Sequence, residues 1–314
     1  MSTTPNSKAT AFSFEVLPPM RGKKIDSVFR TIERLLPFNP VKVNITTHRS
    51  ETIYKELENG TFQKLSVRTR PGTVALAATL KERYKVDTVP HIICSGFTAA
   101  EIENELIDLS FLGITHLLLL RGDKAKDEKH FSPTPGGHAH AIDLVHQVEN
   151  FNQGILIDGT HHEGLEEPFT YGVAGYPEKH EEAMNLESDI EFVKAKVAAG
   201  AEHIVTQMFF DNRKFFNYVE LLRKAGITVP VIPGIKPLTT LSQRSMLPKS
   251  FHIDFPAELV KELQICQTND DVKELGVEWG IQQARELKAA GVERIHFYSM
   301  NASISVERIA KAVF

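Results

Sequence analysis

The sequence predicts an α/β fold of the (β/α)8 TIM barrel class with loop insertions. Three observations lead there. Eight short apolar β-type runs alternate with helix-type stretches: Phe12–Val16, Val41–Ile45, Thr88–Ile93, His116–Leu120, Thr170–Ala174, His203–Thr206, Pro230–Ile232 and Arg294–Tyr298. The runs are apolar along their length, as strands buried on both faces of a parallel sheet are. Most of them end in polar or charged residues, and a closed barrel carries its chemistry where strands run into loops. A doubly wound open sheet would also alternate β and α elements. No GxGxxG follows a strand and no GxxxxGK[ST] occurs, so neither phosphate loop is present. The count of eight favours closure.

Each element has its own signal. Residues 1–11 read as a disordered N-terminal tail, ahead of a single barrel domain over residues 12–314. Phe12–Val16 opens the fold, and Leu17-Pro18-Pro19 stops it because proline cannot donate to a ladder. Ile25, Val28, Phe29, Ile32, Leu35 and Leu36 then recur at helical spacing. After the second strand a polar loop carries Thr47, His48 and Arg49, and a helix is expected over Thr73–Tyr84. The next helix starts at Thr98, with Glu101 three residues on in a capping-box pattern, and Ile102, Leu106, Leu109 and Leu112 form its apolar face.

Arg121-Gly122-Asp123 leads into a polar loop, Lys124–Gly137, and a helix over Ala139–Glu149. Asn152–Glu167 interrupts the rhythm and reads as a hairpin or lid. Helices near Asn185–Ala199, Asn212–Ala225, Thr240–Met246, Pro256–Cys266 and Asp270–Ala290 follow, and the last begins near Ser303 or Ser305. No linker, low-complexity tract or repeat divides the chain.

Composition narrows the function. The 314 residues are 42% hydrophobic and 24% charged, with a formal net charge of −4. No Lys/Arg stripe offers a footprint for nucleic acid, nor for an anionic membrane surface. The two cysteines, Cys94 and Cys266, form no CxxC pair, which points to a reducing, cytoplasmic setting. Cys94 reads as a small buried hydrophobe. Residues 1–10 lack the apolar core of a signal peptide, and no run approaches the ~18 apolar residues of a membrane span.

The strand exits carry Glu15, Thr46, His91, Arg121-Gly122-Asp123, Tyr176 and Gln207. Glu15 lies inside an apolar run, where an unpaired charge is costly. It is either a structural ion pair or an acid whose desolvated carboxyl holds a proton near neutrality, and the second reading is favoured. Arg121-Gly122-Asp123 is a turn with its own salt bridge, or a place where Gly122 lets backbone approach a ligand closely. His91 is a core histidine or a ligand contact. Gln207, beside Phe209-Phe210, suits a planar hydrogen-bonding ligand. Lys236, in Pro233-Gly234-Ile235-Lys236-Pro237, is either a Schiff-base nucleophile of a barrel lyase or aldolase, or a solvated lysine on a rigid loop, which is the simpler reading. His138/His140 and His161/His162 lack a carboxylate or cysteine at ligand spacing, so no metal site is expected.

Seven segments in order resemble the 5,10-methylenetetrahydrofolate reductase family: Phe14-Glu15-Val16-Leu17-Pro18-Pro19, Pro90-His91, Leu120-Arg121-Gly122-Asp123, Gly175-Tyr176-Pro177-Glu178-Lys179-His180, Thr206-Gln207-Met208-Phe209-Phe210-Asp211, Ile232-Pro233-Gly234-Ile235 and His296-Phe297-Tyr298. Bacterial members of that family are single FAD-containing barrels. The resemblance implies reduction of 5,10-methylenetetrahydrofolate to 5-methyltetrahydrofolate by ping-pong hydride transfer, supplying methyl groups for methionine synthesis. NADH is the expected donor by analogy with bacterial relatives, with NADPH the alternative, and a homo-oligomer is expected.

The resemblance also implies roles. Glu15 takes the place of the catalytic acid that protonates the substrate at N10. Asp123 takes that of the aspartate beside the flavin pyrimidine and the substrate pterin. Thr46, Thr47, His91, Arg121, Gly122, His140, Ala141, Tyr176, His180, Asp189 and Lys196 fall where FAD contacts are expected. Gln207 and Gln243 fall on the substrate side. The chain departs from the family pattern at Leu247, near the place of a substrate-stacking phenylalanine, and at Ala302, in place of an arginine. Asn152–Glu167 is longer than the minimal bacterial loop.

Overall fold

In a computed structural model that describes residues 10–125, 128–300 and 302–314, nine strands form one sheet. In chain order the elements are β1 (Ala11–Val16), α1 (Asp26–Leu35), β2 (Lys42–Ile45), β3 (Glu51–Glu56), β4 (Phe62–Val67), α2 (Thr73–Tyr84), β5 (Thr88–Ile93), α3 (Ala99–Phe111), β6 (His116–Leu120), α4 (Ala141–Asn152) and β7 (Thr170–Gly175). They continue with α5 (Leu186–Ala198), β8 (His203–Thr206), α6 (Asn212–Lys224), β9 (Val231–Ile232), β10 (Gly234–Ile235), α7 (Gln243–Phe251), α8 (Ala257–Ile265), α9 (Asn269–Ala289), β11 (Arg294–Phe297) and α10 (Ser303–Val313).

The strand order is β10-β11-β1-β2-β5-β6-β7-β8-β9. Its two ends are halves of one strand, because only Pro233 separates β9 from β10. Proline has no N–H to give, so the ladder breaks there, while its carbonyl still accepts the His296 N–H at 2.9 Å. The strand order therefore closes with eight strand positions alternating with helices, and the fold is the expected (β/α)8 class.

The chain divides into two compact units: the described residues of Met1–Val16 with Arg30–Val43 and Gly172–Phe314, and Leu17–Phe29 with Asn44–Tyr171. In the first, β1 lies parallel to β11 with Phe12 opposite Ile295 and Phe14 opposite Phe297, and β10 lies parallel to β11 with Ile235 opposite Phe297. Phe12 packs on Phe297 at 5.4 Å between ring centroids and on Phe314 at the same separation. Phe12, Phe14 and Phe297 are fully buried. Each such ring contributes roughly 1.5–3 kcal/mol relative to exposure.

In the second unit, β5 lies parallel to β6 with His91 opposite Leu118 and Ile93 opposite Leu120. The capping box expected at Thr98 is present: its hydroxyl accepts the Glu101 N–H at 3.1 Å, and the Glu101 carboxylate accepts the Thr98 N–H at 2.8 Å. Asn152–Glu167 contains a small hairpin, with Ile155 bridged to His161 around a turn at Gly159.

Several boundaries differ from expectation. The strand expected at Phe12 begins at Ala11, and the preceding Thr10 is buried and donates from its hydroxyl to the Val292 carbonyl at 2.9 Å. Residues 1–9 of the expected tail lie outside the described residues, as do 126–127 of the Lys124–Gly137 loop and Asn301. The helix expected to start at Thr240 starts at Gln243, because the Gln243 side chain accepts the Thr239 and Thr240 N–H groups at 2.6 and 3.1 Å.

The polar loop after β2 is largely an antiparallel hairpin, β3–β4, with Ile53 opposite Leu65 and Glu56 opposite Phe62. Asn59-Gly60 at its tip, after the β-prone run Thr52-Ile53-Tyr54, is the signal that reveals it.

Candidate active site

The strand register of the first unit builds the site layer by layer. Ile235, Phe297 and Phe14 stand side by side on β10, β11 and β1. Side chains alternate along a strand, so the next residues, Lys236, Tyr298 and Glu15, form the following layer and share the opposite face. The layer before it behaves as the same alternation requires: Ser13 Oγ meets His296 Nδ1 at 3.1 Å. Gly234 completes that earlier layer. A Cβ there would lie 2.4 Å from Tyr298 Cε2 and 2.5 Å from the Thr206 carbonyl, so only glycine admits the Tyr298 ring. Tyr298 Oη donates to that carbonyl at 2.6 Å, and Gly234 N–H donates to Thr206 Oγ1 at 3.0 Å.

Glu15 is 3% exposed and Lys236 6%. Burial pushes the Glu15 carboxyl up to about 7, and the attraction of Lys236 only partly offsets it. Burial likewise lowers the Lys236 ammonium, with Glu15 pulling it back. The Tyr298 phenol is raised, chiefly by burial and then by Glu15. Glu15 thus has both the charged neighbour that the ion-pair reading asks for and the desolvation that the acid reading asks for, and desolvation is the larger effect. Ser299 Oγ donates to the Glu15 carbonyl, holding the strand end in place. The simpler reading of Lys236 as a solvated loop lysine is wrong. Its prolines end the strand, but the residue after Ile235 still points with the buried layer.

Beyond β7, Tyr176 and His180 pair edge to face at 4.8 Å between ring centroids. Asp189, in the first turn of α5, is 4% exposed and accepts the His180 N–H at 2.9 Å. Lys196, one face along α5, donates to the Ala174 carbonyl at 3.2 Å; burial lowers its ammonium to about 8 against the pull of Asp189. Four of the expected residues, Tyr176, His180, Asp189 and Lys196, therefore gather around the β7–α5 connection.

Gln207 follows β8, with its N–H donating to the Gly175 carbonyl at 2.8 Å and its side-chain carbonyl accepting the Met208 N–H at 2.9 Å. Gln243 spends its carbonyl on the α7 entry. Leu247 is fully buried in an apolar cluster with Met208, Phe210 and Leu238. Ala302 is 5% exposed.

The remaining expected residues lie in the second unit. His91 is 5% exposed, and its Nε2 accepts from Asn44 Nδ2 at 3.2 Å. Burial, with His48 adding to it, pushes the His91 imidazole down to about 3, so it is neutral and acts by hydrogen bonding. Thr47 Oγ1 donates to the His91 carbonyl and meets Thr73 Oγ1 at 2.5 Å, and Thr46 Oγ1 meets His48 Nε2 at 3.2 Å.

Gly122 has φ +80, and a Cβ there would lie 2.9 Å from Ser95 Cβ. Ser95 Oγ donates to the Asp123 carbonyl at 2.5 Å, which leaves the exposed Asp123 side chain on a braced backbone. The Arg121 guanidinium sits 4.6 Å over the Phe131 ring. His140 caps α4, its N–H donating to the Asp143 carboxylate at 2.9 Å, and Ala141 is the first helical residue.

The sequence reading missed Asn44, which orients His91. A polar residue inside the β2 run is its signal. His138 Nε2 meets Gln147 Oε1 at 2.5 Å, and His162 Nε2 meets the Phe151 carbonyl at 2.9 Å. Among the described residues, no group of three or more His, Cys, Asp or Glu is placed to hold a metal ion.

Fold and site together define a parallel α/β barrel with its polar groups at the carboxyl ends of the strands. The chain belongs to the methylenetetrahydrofolate reductase family, whose model matches residues 1–313. It is 28% identical over 306 residues to methylenetetrahydrofolate reductase (NADH) 1 of Arabidopsis thaliana, covering 94% of this chain and 47% of that one. It is 27% identical to the 5,10-methylenetetrahydrofolate reductase of Salmonella typhimurium, covering 92% of this chain and 86% of that one. The chain thus spans about half the length of its plant relative and most of its bacterial one. Among solved structures, an uncharacterized Clostridium thermocellum protein that binds two copies of 5-methyl-5,6,7,8-tetrahydrofolic acid shares the fold. It has a TM-score of 0.54 and 12% identity, with 98% of this chain and 96% of that one covered. No helix among the described residues is long and apolar enough to cross a membrane.

Proposed function

We propose that this chain, as one catalytic domain from Thr10 onward, reduces 5,10-methylenetetrahydrofolate to 5-methyltetrahydrofolate, with FAD as the bound hydride carrier and NADH, or NADPH, as donor. The observation that carries the reading is Glu15: a buried carboxyl, raised to about 7, at the end of a barrel strand in a chain of this family.

The residues fit FAD. Gly122, at φ +80 and packed against Ser95 and Ile93, shapes the turn after β6, and His91, Thr46 and Thr47 supply hydrogen-bonding groups that need no charge. Arg121 brings positive charge suited to a pyrophosphate in its unit; in the other, Lys196 is a buried cation and the Tyr176–His180 pair offers an aromatic edge. Asp189 fixes the His180 backbone and His140-Ala141 open α4. Bound there, FAD would supply hydride transfer between the nicotinamide and the folate carbon, with the two co-substrates using it in turn.

The chain's own residues do the rest. Folate's bridging carbon accepts hydride only after the N10–carbon bond opens to an iminium cation at folate N5. Glu15 is the group that gives its proton to N10 as that bond breaks, and such general acid catalysis supplies ~10²–10⁴-fold. Asp123, an anion on a braced backbone, stabilises the cation that develops on the folate. Gln207 and Gln243 hydrogen-bond the substrate. The protein acts in the cytoplasm as a homo-oligomer and feeds methyl groups toward methionine.

The test is direct. The purified chain is expected to be yellow, to bleach anaerobically with NADH, and to regain colour with 5,10-methylenetetrahydrofolate while 5-methyltetrahydrofolate forms. A colourless protein that neither binds FAD nor makes that product would refute the reading. The Schiff-base alternative rests on the buried Lys236 with its lowered ammonium. Borohydride trapping with an aldehyde substrate distinguishes it.

A further inference from the structure

Lys236 has no part in the reaction as derived so far, and its position calls for one. An ammonium inside a barrel costs several kcal/mol unless a charge or dipole compensates it. Lys236 is held at the end of β10, whose Ile235 is in register with Phe297 on β11, itself in register with Phe14 on β1. That register puts Lys236, Tyr298 and Glu15 in one buried layer, with Tyr298 between the two charged groups in strand order. The Tyr298 N–H donates to the Ile235 carbonyl at 2.9 Å, and its Oη is tied to Thr206, so the ring is fixed on both sides. Lys236, from β10, is the ionisable group that acts on Glu15, while Glu15 and Tyr176, beyond β7, act on Tyr298.

We propose that Lys236 is a positioning residue for Glu15, the counter-charge in the buried layer against which the carboxyl gives up and regains its proton. The inference rests on Glu15 being the proton donor of the proposed reaction. In that step the Glu15 O–H bond breaks and an N10–H bond forms. The electron pair of the N10–carbon bond goes to N10, and a carboxylate remains. Lys236 stays protonated throughout and balances that carboxylate, so no further reactant is needed. Solvent then returns the proton to Glu15. A neutral residue at this place would leave the carboxylate without its counter-charge in a buried layer.

The decisive readout is the titration of Glu15 itself, followed by carbon NMR of the full-length protein labelled at the glutamate carboxyl carbons, with Glu15→Gln identifying its signal. In the wild type the midpoint is expected near 7. Lys236→Met should move it upward, the direction that loss of an opposite charge in the same buried layer dictates. Lys236→Arg should restore it to near the wild-type midpoint. If Lys236→Met does not fold, Lys236→Gln removes the same charge with a polar side chain and serves instead.

An unchanged or lowered midpoint in a folded neutral variant overturns the proposal. So does Lys236→Arg behaving like Lys236→Met. The outcome is separable from the proposed function: if Glu15→Gln keeps full folate reduction, the acid assignment fails, whatever the titration shows of the pair.

Discussion

Two strand-end clusters in this chain handle charge in opposite ways. At the ends of β1, β10 and β11, an acid, a lysine and a tyrosine are taken out of water, and burial displaces the protonation of all three. At the ends of β5 and β6, the placement comes from backbone: Gly122 at φ +80, Ser95 holding the Asp123 carbonyl, and Thr47 holding the His91 carbonyl. There the carboxylate of Asp123 is exposed. In the first cluster the barrel interior sets the proton affinity. In the second, hydrogen-bonded backbone fixes position and leaves the Asp123 side chain in water.

The largest way to break this contrast is Glu15→Gln. In stopped-flow half-reactions it should slow folate reduction by ~10²–10⁴-fold and leave flavin reduction by nicotinamide nearly intact. Equal losses in both halves would place Glu15 among general binding residues. Asp123→Asn comes next. Removing this anion from beside a bound flavin should raise the flavin midpoint potential by roughly some tens of millivolts, measured by spectroelectrochemistry. An unchanged potential would remove Asp123 from that role.

Gly122→Ala probes the backbone side alone. The positive φ and the Ser95 contact should cost about 1–2 kcal/mol, seen as a melting temperature lower by a few degrees and weaker flavin retention. Full stability and flavin content would show that the close approach is dispensable. The smallest effect is expected for Tyr298→Phe. Loss of its bond to the Thr206 carbonyl should cost roughly 0.5–1.5 kcal/mol in denaturant unfolding, and no loss would mean that the ring alone sets the layer.

Much of the barrel was legible because parallel strands write themselves as apolar runs, and the runs at Thr88–Ile93, His116–Leu120 and His203–Thr206 match the strands residue for residue. The β3–β4 hairpin was not, because both its faces are largely exposed and its polar residues look like loop, although Asn59-Gly60 marks the turn. Pro230–Ile232 was read too short. A proline break looks like a strand end in sequence, and only the Pro233 carbonyl accepting His296 N–H shows that the strand continues.

Glu15 was legible as a candidate acid because it is polar inside an apolar run. Lys236 was obscured by the prolines around it, and register with β11, a non-local property, is what shows its burial. Asn44 behind His91 was missed for a similar reason: a pairing across adjacent strands has no local spacing to read.

Glu15, in the proposed reaction, carries a proton at neutral pH and delivers it to the folate. Its folded pKa lies above the ordinary 4.5, at about 7, so the acid form is present below that pH and is lost as pH rises through it. The pH dependence of the folate half-reaction, followed from pre-reduced enzyme, tests this most directly. The rate is expected to be highest on the acid side and to fall about tenfold per pH unit above the midpoint near 7, a limb that Glu15→Gln abolishes. A rate that stays level through that range, or a limb that persists in Glu15→Gln, would rule out Glu15 as the proton donor.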